Sequence, residues 1–175
     1  LPTLTERERA WLAAWNATTR QVQGSTWHGL IEAQAATTPD RLAVVSGDTR
    51  LSYRELDARA HAIAARLQGS GVKRGDIVGL FVERSADMLA AMFAIAKAGA
   101  AYLPLDPGFP PDRLAYIVED AGAAVIVTDA ALEATARVFA VPLITLESAT
   151  GVGATVPPVQ LEADELAYVI YTSGS

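Results

Sequence analysis

The chain has 175 residues, of which 51% are apolar and 19% charged, and its 14 basic and 20 acidic side chains give a net charge of -6. That length and apolar content fit one ordinary domain with a real hydrophobic core and exclude a disordered chain. The lack of cysteine excludes disulfides, thiolate metal sites and a cysteine nucleophile. A pI near 4.9, with Lys73 and Lys97 as the only lysines, argues against a nucleic-acid partner. The longest apolar run, Met88 to Ala96, is too short to span a bilayer and carries the periodicity of a buried helix. Leu1 to Trp11 lacks the basic-then-apolar order of a signal peptide, so a cytoplasmic setting is expected.

Along the chain, Thr5 and Glu8 form a capping-box pattern that predicts a helix from about Thr5 to Trp15, broken at Asn16-Ala17-Thr18. A polar stretch follows, so residues 1–24 read as a linker or arm and the body occupies 25–175. Trp27, Leu30, Ile31 and Ala35 share one helical face that ends before Pro39. Leu42 to Val45 and Arg50-Leu51 flank Gly47-Asp48 and predict a hairpin. Ser52 with Glu55 caps a helix whose buried stripe is Tyr53, Leu56, Ala60, Ile63 and Leu67, stopped by Gly69 and Gly71. A strand over 77–82 then leads to Ser85 and a helix through Ala96, closed at Gly99. Strand 101–103, a proline-rich turn, helix 112–120, strand 124–127, a helix from about Asp129 and strand 142–146 complete the alternation. After Gly151 to Pro158 a last strand is expected over 166–171. Helices alternating with nearly continuous apolar strands predict an α/β fold with a mostly parallel sheet covered on both faces.

In such sheets the chemistry sits in the loops at the carboxyl ends of strands. Three loops qualify by position: Glu83-Arg84-Ser85, Pro104 to Pro107, and Thr172-Ser173-Gly174-Ser175. The last places hydroxyls beside a glycine directly after an apolar strand, a composition whose backbone N–H and hydroxyl donors suit phosphate oxygens. The same composition also serves ordinary turns. No Gly-x4-Gly-Lys-Ser/Thr loop is present, and no Gly-x-Gly-x-x-Gly follows the first strand, which disfavours a dinucleotide fold.

Three segments, in order and at matching spacing, resemble core motifs of the adenylation domains of nonribosomal peptide synthetases. They are Leu51-Ser-Tyr-Arg-Glu-Leu56, Lys97-Ala-Gly-Ala-Ala-Tyr-Leu-Pro-Leu-Asp106 and Leu166-Ala-Tyr-Val-Ile-Tyr-Thr-Ser-Gly-Ser175. The likeness extends through Thr37-Thr-Pro-Asp40, Phe81-Val-Glu-Arg-Ser85 and Pro107 to Leu114, and so covers essentially the whole chain. Residues 1–24, with Trp15-Asn16-Ala17-Thr18, are similar to the linker that follows an upstream condensation domain. The resemblance implies activation of an amino acid with ATP to an aminoacyl adenylate. The adenylate is then captured by the phosphopantetheine thiol of a peptidyl carrier protein. It implies that Thr172, Ser173, Gly174 and Ser175 hold the departing pyrophosphate portion of ATP, with Mg²⁺ sharing the charge, and it implies no catalytic side chain or metal ligand here. The family's loop continues with Thr-Gly-x-Pro-Lys-Gly. A chain that starts without methionine and stops at Ser175 is therefore expected to be the N-terminal portion of the domain, inactive alone and with apolar faces uncovered. The alternatives are an acyl-CoA ligase-like enzyme using a fatty or aryl acid, and a non-catalytic docking piece between domains.

The remaining polar features read as architecture. Leu51 to Leu56 is a strand end and helix start, and Asp106 beside Pro107 fits a turn. Lys97 is expected to complement a helix dipole in solvent. His28 and His61 lack partners at ligand spacing and are expected at or near the surface. Glu119-Asp120 reads as a solvated carboxylate pair, and Trp11 and Trp15 share one helical face that packs either on this body or on a neighbour.

Overall fold

The computed structural model describes residues 4–20, 26–149, 157 and 159–172. Helix α1 (Glu6–Asn16) opens on the expected capping box: the Thr5 hydroxyl accepts from the Glu8 N–H, and the Glu8 carboxylate accepts from the Thr5 N–H at 2.7 Å. None of its residues is buried, and Trp15 is 70% exposed. Helix α2 (Trp27–Thr37) is capped by the Thr26 hydroxyl. Strands β1 (Leu42–Ser46) and β2 (Thr49–Ser52) form the antiparallel hairpin, turning at Gly47 with φ 56°. Ser52 and Glu55 then cap α3 (Tyr53–Gly69) reciprocally, as the sequence pattern requires.

The central sheet is built from β3 (Ile77–Phe81), β4 (Ala101–Pro104), β5 (Val125–Thr128) and β6 (Leu143–Thr145). Its order is β4-β3-β5-β6, and every pairing is parallel. The connections carry α4 (Ala86–Lys97), α5 (Pro111–Asp120) and α6 (Glu133–Ala136). Alternate side chains along each strand enter opposite cores. Val78, Leu80, Val125, Val127 and Ile144 face Ile63 and Leu67 of α3 and Phe93 of α4. Phe81, Leu103 and Ile126 face Leu114 and Ile117 of α5 and Phe139. Burial on both faces is why these strands read as near-continuous apolar runs instead of alternating ones. Full burial of a side chain such as Phe81 or Phe93 contributes about 1.5–3 kcal/mol. No helix among the described residues is long and apolar enough to cross a membrane.

Two elements depart from the sequence reading. The helix expected from Asp129 is a single turn, α6, because the Asp129 carboxylate caps the Leu132 N–H at 2.9 Å and holds the preceding residues as turns. The strand expected over 166–171 makes one parallel bridge, Tyr168 with Tyr102, in place of a ladder. The Tyr102 N–H donates to the Ala167 carbonyl at 3.3 Å, and the Val169 N–H donates to the Tyr102 carbonyl at 3.0 Å. This segment lies alongside β4. Leu166, Tyr168 and Ile170 are exposed, while Val169 and Tyr171 pack on the α5-side core.

Candidate functional site

The parallel sheet brings the loops after β3, β4 and β5 to one edge, and the bridge at Tyr168 runs the last segment in the same direction. At that edge Asp129 ties two loops together. Its Oδ2 accepts from the Glu83 N–H at 2.8 Å while its Oδ1 caps Leu132. Asp129 carries no signal of this role in the sequence, since its partner Glu83 lies in the loop after a different strand. In the loop after β4, Asp106 forms the expected turn, accepting from the Gly108 N–H at 2.8 Å through Oδ1 and from the Phe109 N–H at 2.9 Å through its carbonyl. Arg113 stacks over the Phe109 ring at 4.4 Å from its centroid and stiffens that turn.

Of the four residues expected to meet phosphate, Thr172 is described and exposed at the end of the last segment. Ser173, Gly174 and Ser175 lie outside the described residues. A hydroxyl and a backbone N–H are donors of the kind that fit an anionic phosphate oxygen. Among the described residues no cluster of His, Asp or Glu is arranged to hold a metal ion.

The segment leading to Thr172 is tied to the body by side chains. Arg74 bonds Glu165 through Nε at 2.7 Å and through Nη2. The Tyr168 ring lies 5.6 Å from that of Tyr102. The Tyr171 hydroxyl donates to Asp120 Oδ2, and the Tyr116 hydroxyl reaches Asp120 Oδ1 at 3.5 Å. Bonding to this carboxylate pushes the Tyr171 phenol up to about 12. Asp120 is therefore not a merely solvated carboxylate. A cleft nearer α2, lined by Trp27, His28, Glu162, Glu165 and Leu166, carries two carboxylates and is ill suited to phosphate.

Two further expectations are corrected. Lys97 does not project into solvent: its side chain is 6% exposed and pairs with Glu32 of α2 and with Asp57 of α3, whose Oδ1 lies 3.0 Å away. Its ammonium also sits 4.8 Å from the centroid of Phe93. Helices α2 and α3 close over the end of α4, and the lysine is retained there because two carboxylates meet its charge. His28 is likewise buried, beside Trp27, and its Nδ1 has no hydrogen-bond partner among the described residues. Burial, the largest influence, holds its pKa below the ordinary 6.5; Lys97 adds to this and Glu32 opposes it. His61 fits its boundary placement, half-buried with Nδ1 2.9 Å from the Asp57 carbonyl.

Known proteins share this arrangement. The chain is 43% identical over 175 residues to bacitracin synthase 3 of Bacillus licheniformis, covering 97% of this chain and 3% of that protein. It is 39% identical over 173 residues to bacitracin synthase 1 of the same organism, covering 97% of this chain and again 3% of that protein. The chain thus spans a few hundredths of the length of the curated relatives it matches. Its fold superposes on the AMPPNP-bound nonribosomal peptide synthetase FmoA3 with a TM-score of 0.82 at 35% identity, over 97% of this chain and 18% of that one. The model of the AMP-binding enzymes matches residues 31–175, and so, by sequence across most of its length and by the fold that length adopts, this chain belongs to the AMP-binding enzyme family.

Proposed function

We propose that these residues form the N-terminal portion of a nonribosomal peptide synthetase adenylation domain. In this reading the domain activates an amino acid with ATP. The carboxylate oxygen bonds to the α-phosphorus, the bond to the pyrophosphate oxygen breaks, and pyrophosphate departs. The phosphopantetheine thiol of a peptidyl carrier protein then takes the aminoacyl group and AMP leaves. The observation that carries the reading is the AMP-binding family match over 31–175, together with likeness at 43% and 39% identity to two bacitracin synthases.

Thr172, Ser173, Gly174 and Ser175 donate to the pyrophosphate portion of ATP. Mg²⁺ arriving with the nucleotide neutralises the same oxygens. Such a site works by positioning and charge stabilisation, so no protein nucleophile is required. Residues 1–24 serve as the linker from an upstream condensation domain. Supporting this, the family match begins only at residue 31, and α1 leaves Trp11 and Trp15 exposed. The domain acts in the cytoplasm.

The test is amino-acid-dependent exchange of pyrophosphate into ATP, run on the complete adenylation domain with panels of amino acids and of fatty and aryl acids. Exchange with an amino acid is expected, and none from residues 1–175 alone. Exchange with only fatty or aryl acids would point to the acyl-CoA ligase-like alternative, and robust exchange by the 175-residue chain would overturn the partial-domain reading.

A further inference from the structure

Among the described residues, two buried side-chain polar atoms lack a hydrogen bond, His28 Nδ1 and Asp57 Oδ1, and both lie at the seam where α2 meets α3 and α4. Asp57 Oδ1 stands 3.0 Å from the Lys97 ammonium without a hydrogen bond to it. The second carboxylate on that ammonium, Glu32, comes from α2. Docking α2 therefore takes water from a lysine, a carboxylate and an imidazole and leaves their bonding incomplete, which repays little of the lost hydration. The apolar contacts of α2 are also few. Of its 11 residues only His28 and Ala35 are buried, and Leu30 is exposed. The core shared by the sheet, α3 and α4 takes no buried residue from α2, and Trp27 and Ile31 pack only at its margin. Just beyond α2 the chain is pinned to the start of α3. The Pro39 carbonyl accepts from the Arg54 N–H at 2.9 Å, and the Arg41 carbonyl from the Tyr53 N–H at 3.0 Å.

We propose that α2 is a detachable helix, held on the body by an ionic clasp of Lys97 with Glu32 and Asp57, that swings out about Thr38 while the sheet, α3 and α4 stay folded. Opening rehydrates the clasp and the imidazole. It gives up the packing of Trp27 on Phe93 and Tyr102, whose ring centroids lie 6.1 and 6.5 Å away. Such an opening is a local step, separate from global unfolding. Acid favours it. Around His28 stand Glu32 of its own helix and Lys97 of α4, with Asp57 and His61 of α3 beyond the lysine. Across the cleft are Glu162 and Glu165 of the last segment, the latter paired with Arg74. Burial is the largest influence on the docked imidazole, opposed by Glu32 and joined by Lys97, and it holds the proton less readily than the ordinary 6.5. As pH falls through 6.5 the open form gains the proton first, and the bias levels off below the docked value.

The experiment is hydrogen exchange of the backbone amides in the complete adenylation domain, with rates corrected for the intrinsic pH dependence of exchange. The α2 amides are expected to exchange ahead of those of α4, β3 and β5, and to draw further ahead as pH falls through 6.5. Equal protection of α2 and the sheet would mean that α2 leaves only on global unfolding, and it overturns the proposal. Glu32→Gln changes a half-exposed position and removes the charge that α2 brings to the clasp. It should speed α2 exchange about three- to tenfold, the worth of a partly exposed hydrogen bond to a charged group, and leave β3 and β5 as they were. Unchanged α2 exchange in this variant overturns the clasp, as does an equal acceleration throughout the domain. His28→Gln should flatten the pH dependence of α2 exchange at the native clasp. A slope that persists without the imidazole overturns the acid bias.

Discussion

His28 carries a pH dependence whose sign follows from its burial. The folded state binds its proton less readily than the unfolded state, whose imidazole titrates near the ordinary 6.5. Above that pH neither state is charged and no stability is lost. As pH falls through 6.5 toward the lowered folded value, the unfolded state gains the proton first and stability drops, levelling off below the folded value. Urea unfolding across this range should show the decline in the native chain and lack this component in His28→Gln. A variant with an identical pH profile would remove His28 from the account. The histidine and Lys97 defeat a sequence reading for one reason. Lys97 is enclosed by Glu32 of α2 and Asp57 of α3, and Lys97 at the end of α4 in turn acts on His28, so partners distant in the chain bury both and leave no local mark. Ser52 and Thr5 are legible because a cap is written within four residues.

Among elements, β3 shows how closely two strands are fitted. Gly79 pairs with Ile126 of β5, and a β-carbon at Gly79 would stand 2.8 Å from Ile126 Cγ1 and 3.2 Å from Leu105 Cδ1. Those side chains are fully or nearly fully buried and have little room to give. Gly79→Ala is therefore expected to cost about 1–3 kcal/mol of stability through overpacking. An unchanged urea midpoint would show that the core yields at this point. Strands and helices with strong periodicity are legible in order and type, which places the loops after β3 and β4 at the carboxyl edge of the sheet. Residues 166–171 have the composition of a strand but form one bridge, because a ladder depends on the neighbour's register and β4 is only four residues long. The Tyr171–Asp120 hydrogen bond is equally illegible, since its partners lie 51 residues apart.

Over the whole molecule, both sheet faces are covered, yet apolar side chains remain outside. Leu166, Tyr168 and Ile170 are each more than half exposed along the last segment, and Val45 and Leu42 along the hairpin. If residues 1–175 are part of a larger domain, this chain alone should bind a hydrophobic dye more strongly than the complete domain. An equally low signal from both would count against that reading. The sheet order has a consequence for synthesis as well. All four central strands, with their crossover helices, lie within residues 77–145, and no strand pairs with one more than two places away in chain order. On a ribosome the sheet can therefore close as soon as that stretch has emerged, without waiting for distant partners. In proteins as long as the synthetases this chain resembles, early local closure shortens the time that unpaired parallel strands stay open to misassembly.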